Sequence, residues 1–432
     1  MKVQVVHTIC VALLIFAMTF PVSATIYTIS PDGLGDYATI QEAIDAAADE
    51  DTIFLTDGIF MGEGNRDIVY LGKGITVASQ SGSAESCILD CESTETEPHC
   101  GCLFFAEDLS AVLSGITIRN GWGALDDEGG GIKCADGATP SINFCIFTEN
   151  QNSAVFCESQ SHPVFTECLF TQNQGIRGGG VYIRGANGTF NDCEFIGNTS
   201  TSGGGVYGHA ADPSFTRCLF EENIAEIGGA AGFIYGGGGH FVDCTFLQNE
   251  AHQSSALDGH GMIHTSFEGC LFLGNSNESW GMISMTKSSD MRFTNCTFWD
   301  NEAPGAVLFF EEQQAYLDNT IIAFNRMGTA VTGEGTATLN CCDIYGNEGG
   351  DWVGGIAWQY GINGNISSDP IFCDPEIADL HIRADSHCAP FSPPNEECDL
   401  IGALPVGCYP PTATGSASGI TTWGRIKAVY QE

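Results

Sequence analysis

The nonapeptide FTECLFTQN, at residues 165–173, returns along the chain at nearly constant intervals. It reappears as FNDCEFIGN (190–198), FTRCLFEEN (215–223), FVDCTFLQN (241–249), FEGCLFLGN (267–275) and FTNCTFWDN (293–301). With INFCIFTEN just upstream, the cysteines of the unit fall at Cys145, Cys168, Cys193, Cys218, Cys244, Cys270 and Cys296, in steps of 23 to 26 residues. The closing asparagines keep the same step at Asn150, Asn173, Asn198, Asn223, Asn249, Asn275 and Asn301. Two looser copies end at Asn325, with Thr320 in the cysteine place, and at Asn347, with Cys342 there. LSGITIRNG, at 113–121, reads as an earlier, irregular copy.

A period of this length means stacked units. Helical repeats are excluded, because the units are rich in Gly, Phe, Thr, Val and Asn and show no 3.6-residue apolar stripe. A propeller blade needs about 40–45 residues. The remaining solution is all-β: a single right-handed parallel β-helix, a solenoid of coils of about 25 residues, each rising about 4.8 Å. Equivalent residues then stack. The spacing predicts one buried column of reduced cysteines (the seven above plus Cys342), a parallel column of phenylalanines, and an asparagine ladder at a bend that tolerates the left-handed conformation. The glycines of GGGVYI, GGGVYG and GGAAGF, which follow successive asparagines, mark a sharp turn into the next strand.

The chain is strongly acidic, with 54 acidic and 14 basic residues among 432 and a net charge of −40. Such a surface repels nucleic acid and anionic membranes. Hydrophobic residues make up 43%, enough for a core, so acidity here does not signal disorder. Carboxylates are the preferred ligands of calcium. No specific calcium motif is present, however, and no cofactor is expected. Residues 1–24 read as a signal peptide: Lys2, an apolar run, and a small-residue site ending at Ala24. No other segment is long enough to span a membrane. The expectation is a secreted or surface-displayed protein of bacterial type, in a compartment where disulfides persist.

Five segments follow: the leader (1–24), an N-terminal cap with the first coils (25–110), the coil stack (111–372), a cysteine-rich C-terminal cap (373–409), and a flexible linker with a short amphipathic tail (410–432). In the first cap, Thr39 and Glu42 form a capping-box pair ahead of Ile40, Ala43, Ile44 and Ala47, an apolar stripe. Such a helix would cover the open end of the stack. Cys87, Cys91, Cys100 and Cys102 form one group of disulfide candidates, and Cys373, Cys388, Cys398 and Cys408 another. Proximity suggests pairing within each group, and four cysteines allow three connectivities.

The paired Phe-x-x-Asn and Gly-Gly units over about 110–350 resemble the repeats of chlamydial polymorphic outer-membrane proteins. They also resemble secreted bacterial right-handed β-helix proteins of pectate-lyase-like fold. The chlamydial resemblance implies a C-terminal membrane barrel, but this sequence ends at Glu432, too soon after Asn347 to hold one. SPDGLGDYATIQEAIDAA, at 30–47, resembles the start of pectinesterases, whose catalytic carboxylate motifs do not recur further on.

Counting from each cysteine places Val181, Val206, Ala231, Leu257, Ile283 and Phe309 inward. Tyr182 and Arg184, Tyr207 and His209, and Asp258 and His260 then share one outer sheet, a row interrupted by Gly232 and Ile234. Such a patch could hold a sugar by stacking and hydrogen bonds. A polysaccharide lyase or hydrolase of the pectate-lyase-like class is the alternative. A lyase needs a base beside a charge-neutralising cation, and a hydrolase needs paired carboxylates. The few lysines and arginines are scattered over the coils. The reading is therefore a non-catalytic binding or structural protein, contacting a polysaccharide or a cell-surface component.

Overall fold

The computed structural model describes residues 24–105, 110–123, 129–287, 290–311 and 314–410. The expected leader up to residue 23 and the tail from residue 411 lie outside the described residues. The described residues form a parallel β-solenoid, in which a 27-stranded and a 12-stranded parallel sheet wind together, and a three-stranded sheet at its C-terminal end. Among the described residues no helix is long and apolar enough to cross a membrane.

One coil shows the local logic. A strand at Ser214–Thr216 ends at Arg217, which takes φ +52° and turns the chain. Cys218 then points inward, and a second strand, Leu219–Glu221, runs to Glu222, also left-handed at φ +52°. Asn223 opens a third strand at Ile224–Gly228, and a glycine turn leads into the long strand Gly232–Val242. Each coil thus has two left-handed corners, and both lie one residue before a repeated side chain. The expectation that the asparagine itself is left-handed is corrected here. Glu149, Gln172, Glu222, Gln248 and Asp300 take that conformation. Turning the chain one residue early sends the next side chain inward.

That inward asparagine explains the motif. Asn150, Asn173, Asn198, Asn223, Asn249, Asn275, Asn301, Asn325 and Asn347 are buried in one continuous ladder. From Asn173 on, the Oδ1 of each accepts the preceding rung's backbone N–H at 3.0–3.1 Å and its side-chain amide at 2.8–3.1 Å, and Asn150 Oδ1 opens the ladder by accepting the Gly121 N–H at 2.9 Å. Asp351 ends the ladder by accepting from Asn347 in place of a tenth asparagine. Buried polar groups persist only when paired, and here each rung pairs the next.

The phenylalanines form two columns. Phe165, Phe190, Phe215, Phe241, Phe267 and Phe293 stack at centroid spacings of 4.8–5.0 Å. Phe147, Phe170, Phe195, Phe220, Phe246, Phe272 and Phe298 stack at 4.4–5.1 Å. Rings of one column meet the other edge-on, the geometry aromatic quadrupoles prefer. All eight cysteines of the column are free thiols, 2% exposed or less. Burial pushes the thiols of Cys145, Cys168, Cys193, Cys218, Cys244 and Cys270 well up, and that of Cys342 to about 12, so these seven stay protonated. Each behaves as a small apolar filler whose Sγ leans on a backbone carbonyl, as Cys244 does on Phe215.

The ends differ in part from expectation. The helix at Ile40–Ala46 forms as predicted, with Thr39 accepting from the Glu42 N–H and Ile40, Ala43 and Ile44 buried. At the other end, Cys373 pairs with Cys408 inside the expected group, but Cys398 pairs with Cys341 of the last coil and Cys388 stays free. The cap is therefore stapled to the stack. The N-terminal pairings expected among Cys87, Cys91, Cys100 and Cys102 are not formed. Cys87 and Cys102 are core residues on different sheets, so closeness in sequence does not bring them together. Cys134 and Cys157, outside the repeat's cysteine place, are also buried and sit opposite each other on neighbouring coils.

Candidate functional site

The strand that follows each glycine turn carries the predicted outer patch. Val181, Val206 and Leu257 face the core, and the residues between them face away. Tyr182 lies opposite Tyr207, and Arg184 opposite His209. The predicted interruption at Gly232 and Ile234 is absent. The coil after Cys218 carries one extra residue before this strand, so Tyr207 pairs with Phe233 and His209 with Tyr235. These pair in turn with Asp258 and His260. Gly232 and Leu308 accordingly take the inward places expected for Ala231 and Phe309. Aligning the glycine turns instead of the cysteines would have found Phe233 and Tyr235, since Val206 follows GGG as Gly232 follows GAA.

Two rows result. The first runs Lys133, Phe156, Tyr182, Tyr207, Phe233, Asp258, Ser284 and Phe309. Its rings lie 5.0 Å apart from Phe156 to Tyr182, 5.3 Å edge-on from Tyr182 to Tyr207, and 5.1 Å stacked from Tyr207 to Phe233. The first row is not an open surface. Phe156, Tyr182 and Asp258 are buried, and Gly129 and Gly228 lie against Phe156 and Asp258. A Cβ at Gly203 would stand 2.3 Å from the Val206 carbonyl and 3.1 Å from the Tyr207 Cα. One at Gly228 would stand 2.5 Å from Asp258 Oδ2. Tyr182 is thus lost as a contact residue. Tyr207 stays half-buried, its hydroxyl held up mainly by burial, with Arg177 opposing.

The second row is more open, with only Thr286 buried in it. It runs Glu158, Arg184, His209, Tyr235, His260, Thr286 and Glu311. Tyr235, 46% exposed, is flanked by His209 at 5.5 Å and His260 at 5.2 Å, the latter nearly parallel. His260 Nδ1 meets Thr286 Oγ1 at 2.6 Å, which fixes that ring. Above them, Arg184 and Lys133 both pair with Glu158, at 2.6 Å and 3.0 Å, and both lie over the Phe156 ring.

Asp258 is the one carboxyl of this face pushed up to about 7, by burial and with no cation to offset it. Arg184 is three coils away and already paired. The six predicted residues therefore divide. Arg184, His209 and His260 line the open row, with Tyr207 partly behind it, whereas Tyr182 and Asp258 are buried, Asp258 against Gly228.

Residues 64–220 and 205–366 match the model for the right handed beta helix region. The chain belongs to the right-handed β-helix family. No curated protein matches the sequence. Among solved structures, this β-helix is similar to a pectate lyase at 12% identity, covering 90% of this chain and 98% of the lyase, with a TM-score of 0.43. It is similar to the catalytic unit of a thermostable alpha-1,3-glucanase from Streptomyces thermodiastaticus at 11% identity, covering 74% and 69%, with a TM-score of 0.35. It is also similar to pectin methylesterase from carrot at 11% identity, covering 80% and 88%, with a TM-score of 0.27. At such identities the likeness concerns the path of the chain and not its chemistry.

Proposed function

We propose that this β-helix is an exported, non-catalytic glycan-binding protein, and that it binds along the open row of its outer sheet. The observation that carries the reading is the ring ladder His209–Tyr235–His260, with Tyr235 the exposed centre. Rings standing one coil apart present a row of ring edges and polar tips, which suits the alternating C–H groups and hydroxyls of sugars. The fold's rigidity supports it too, since a pre-ordered platform loses little entropy on binding. Acid–base catalysis has less support. Asp258 has a raised pKa but sits under Gly228, and its neighbours in the row are Phe233 and Ser284 instead of a cation or a second carboxylate.

The test is a glycan array probed with the wild-type chain and with Tyr235→Ala, alongside a polysaccharide-degradation screen. Binding that Tyr235→Ala abolishes, without release of reducing or unsaturated ends, is the expected result. Turnover abolished by Asp258→Asn would replace this reading with the enzymatic one.

A further inference from the structure

A second surface lies at the asparagine-ladder corner of the first coils, away from the ring row. A groove of about 350 Å³ opens there, lined by Glu92, Ser93, Asn120, Trp122, Glu149 and Gln151. Its walls follow from the coil geometry. Glu92, Asn120 and Glu149 are left-handed corner residues on successive coils, with φ of +49°, +55° and +56°, so their side chains project from one edge. Trp122 and Gln151 lie just past the corner, bridged to each other on adjacent coils, and form the facing wall. Ser93 begins the excursion at 93–99, which returns to the stack where His99 accepts from the Trp122 N–H. Further along the stack, Thr199 and Ile224 occupy the places of Trp122 and Gln151, and Gly197 and Gly274 stand among the corner residues. The indole-walled groove therefore belongs to these first coils.

The lining has a definite chemistry. Among the described residues it offers an indole, exposed carboxylates at Glu92 and Glu149 and an amide at Gln151, and no basic side chain lines it; the Ser93 hydroxyl is committed to the Glu97 carbonyl and the His99 N–H. The cations that approach are committed. Arg66 lies 3.6 Å from Glu92, and Arg119 lies 2.9 Å from Asp90, which also accepts from the Asn120 amide at 3.0 Å. Glu92 additionally accepts the Gly62 N–H at 3.0 Å, so its carboxylate is held in place. No hydrogen bond joins the Trp122, Glu149 or Gln151 side chain to another described residue, which leaves their polar groups for a ligand. An aromatic face beside acceptors selects a ring with apolar C–H faces and hydroxyl or ammonium donors. It rejects a carboxylate or phosphate, which would enter a field of like charge.

We infer that this groove is a second glycan-binding site, specific for sugars that carry no negative charge, either neutral or amine-bearing. It is independent of the ring row, and the two are separable by mutation. The test is calorimetry and tryptophan fluorescence on the full chain, titrated with three hexasaccharides: a neutral β-glucan, a glucosamine oligomer and a galacturonate oligomer. The neutral or glucosamine hexamer is expected to bind and change the fluorescence, and Trp122→Ala should weaken that binding at least tenfold. Gln151→Ala, a milder change at the same wall, should weaken it several-fold with an unaltered melting temperature, which guards against misfolding of the first variant. Tyr235→Ala should leave this site's affinity unchanged, and Trp122→Ala should leave the ring row's. Glu149→Gln should reduce affinity for the glucosamine hexamer more than for the neutral one. Galacturonate binding that depends on Trp122, or neutral and amine-sugar binding indifferent to both Trp122 and Gln151, would overturn the inference.

Discussion

Replacing Asn223 by alanine removes one rung from the middle of the amide ladder. Its Oδ1 accepts the backbone N–H of Asn198 at 3.1 Å and the Asn198 amide at 3.0 Å. Its Nδ2 donates to the Phe195 carbonyl at 2.8 Å and to Asn249 Oδ1 at 3.0 Å. After truncation the Asn198 amide still reaches the Phe170 carbonyl, and Asn249 Oδ1 still accepts from the Asn223 backbone. What remains orphaned is the buried Asn198 N–H, together with one bond to Phe195. An unsatisfied buried group costs about 1–3 kcal/mol, so the variant should lose about 2–4 kcal/mol. Asn223→Asp keeps the shape but replaces the Nδ2 that makes both donations by a single oxygen facing the oxygens of Phe195 and Asn249. Its buried carboxyl would have a folded-state pKa raised above the unfolded value, so its penalty grows as pH rises through that window and shrinks on acidification. The assay is urea denaturation at pH 7 and pH 4.5, with hydrogen exchange at the Asn198 amide. An alanine variant within about 0.5 kcal/mol of wild type, or an aspartate variant no worse than alanine at pH 7, would refute the reasoning.

Three further outcomes are expected. Native alkylation should spare Cys193, Cys218, Cys244 and Cys270 and begin at Cys100, the one free thiol among the described residues that is not buried; mass spectrometry of labelled peptides, before and after unfolding, checks this. Asp258 and Asp343 are both raised by burial to about 7 from 3.8, so each contributes stability that is full below the unfolded pKa and lost as pH rises through about 7. Asp258→Asn should therefore raise the melting temperature at pH 8 and change it little at pH 4. At a net charge of −40, calcium should raise thermal stability in a shallow rise that magnesium shares, and saturation at low micromolar calcium would instead reveal a dedicated site.

The repeat made the solenoid legible without coordinates. Residues spaced by one period have to stack, and only Phe, Cys and Asn recur strictly enough to be the stacked core. The thiol column, one of the two ring columns, the amide ladder and the Thr39-capped helix followed from residue type and spacing, because each depends on its own coil and the next. Three features did not follow. The left-handed corners fall on Gly, Asn and Asp in some coils but on Glu, Gln, Arg and Phe in others, so no single residue type marks them; they are imposed by the need to aim the next side chain inward. The Cys341–Cys398 staple joins residues far apart in sequence, and only the seating of the cap on the last coil brings them together. The site suffered most, because a single extra residue in one coil exchanges the inner and outer faces of its strand. Counting from Cys218 therefore hid Tyr235, and alternation placed Tyr182 outside without showing that it is covered. Spacing decides what stacks on what; which outward residues meet solvent is decided by the segments that fold back over them, and those packings are not periodic.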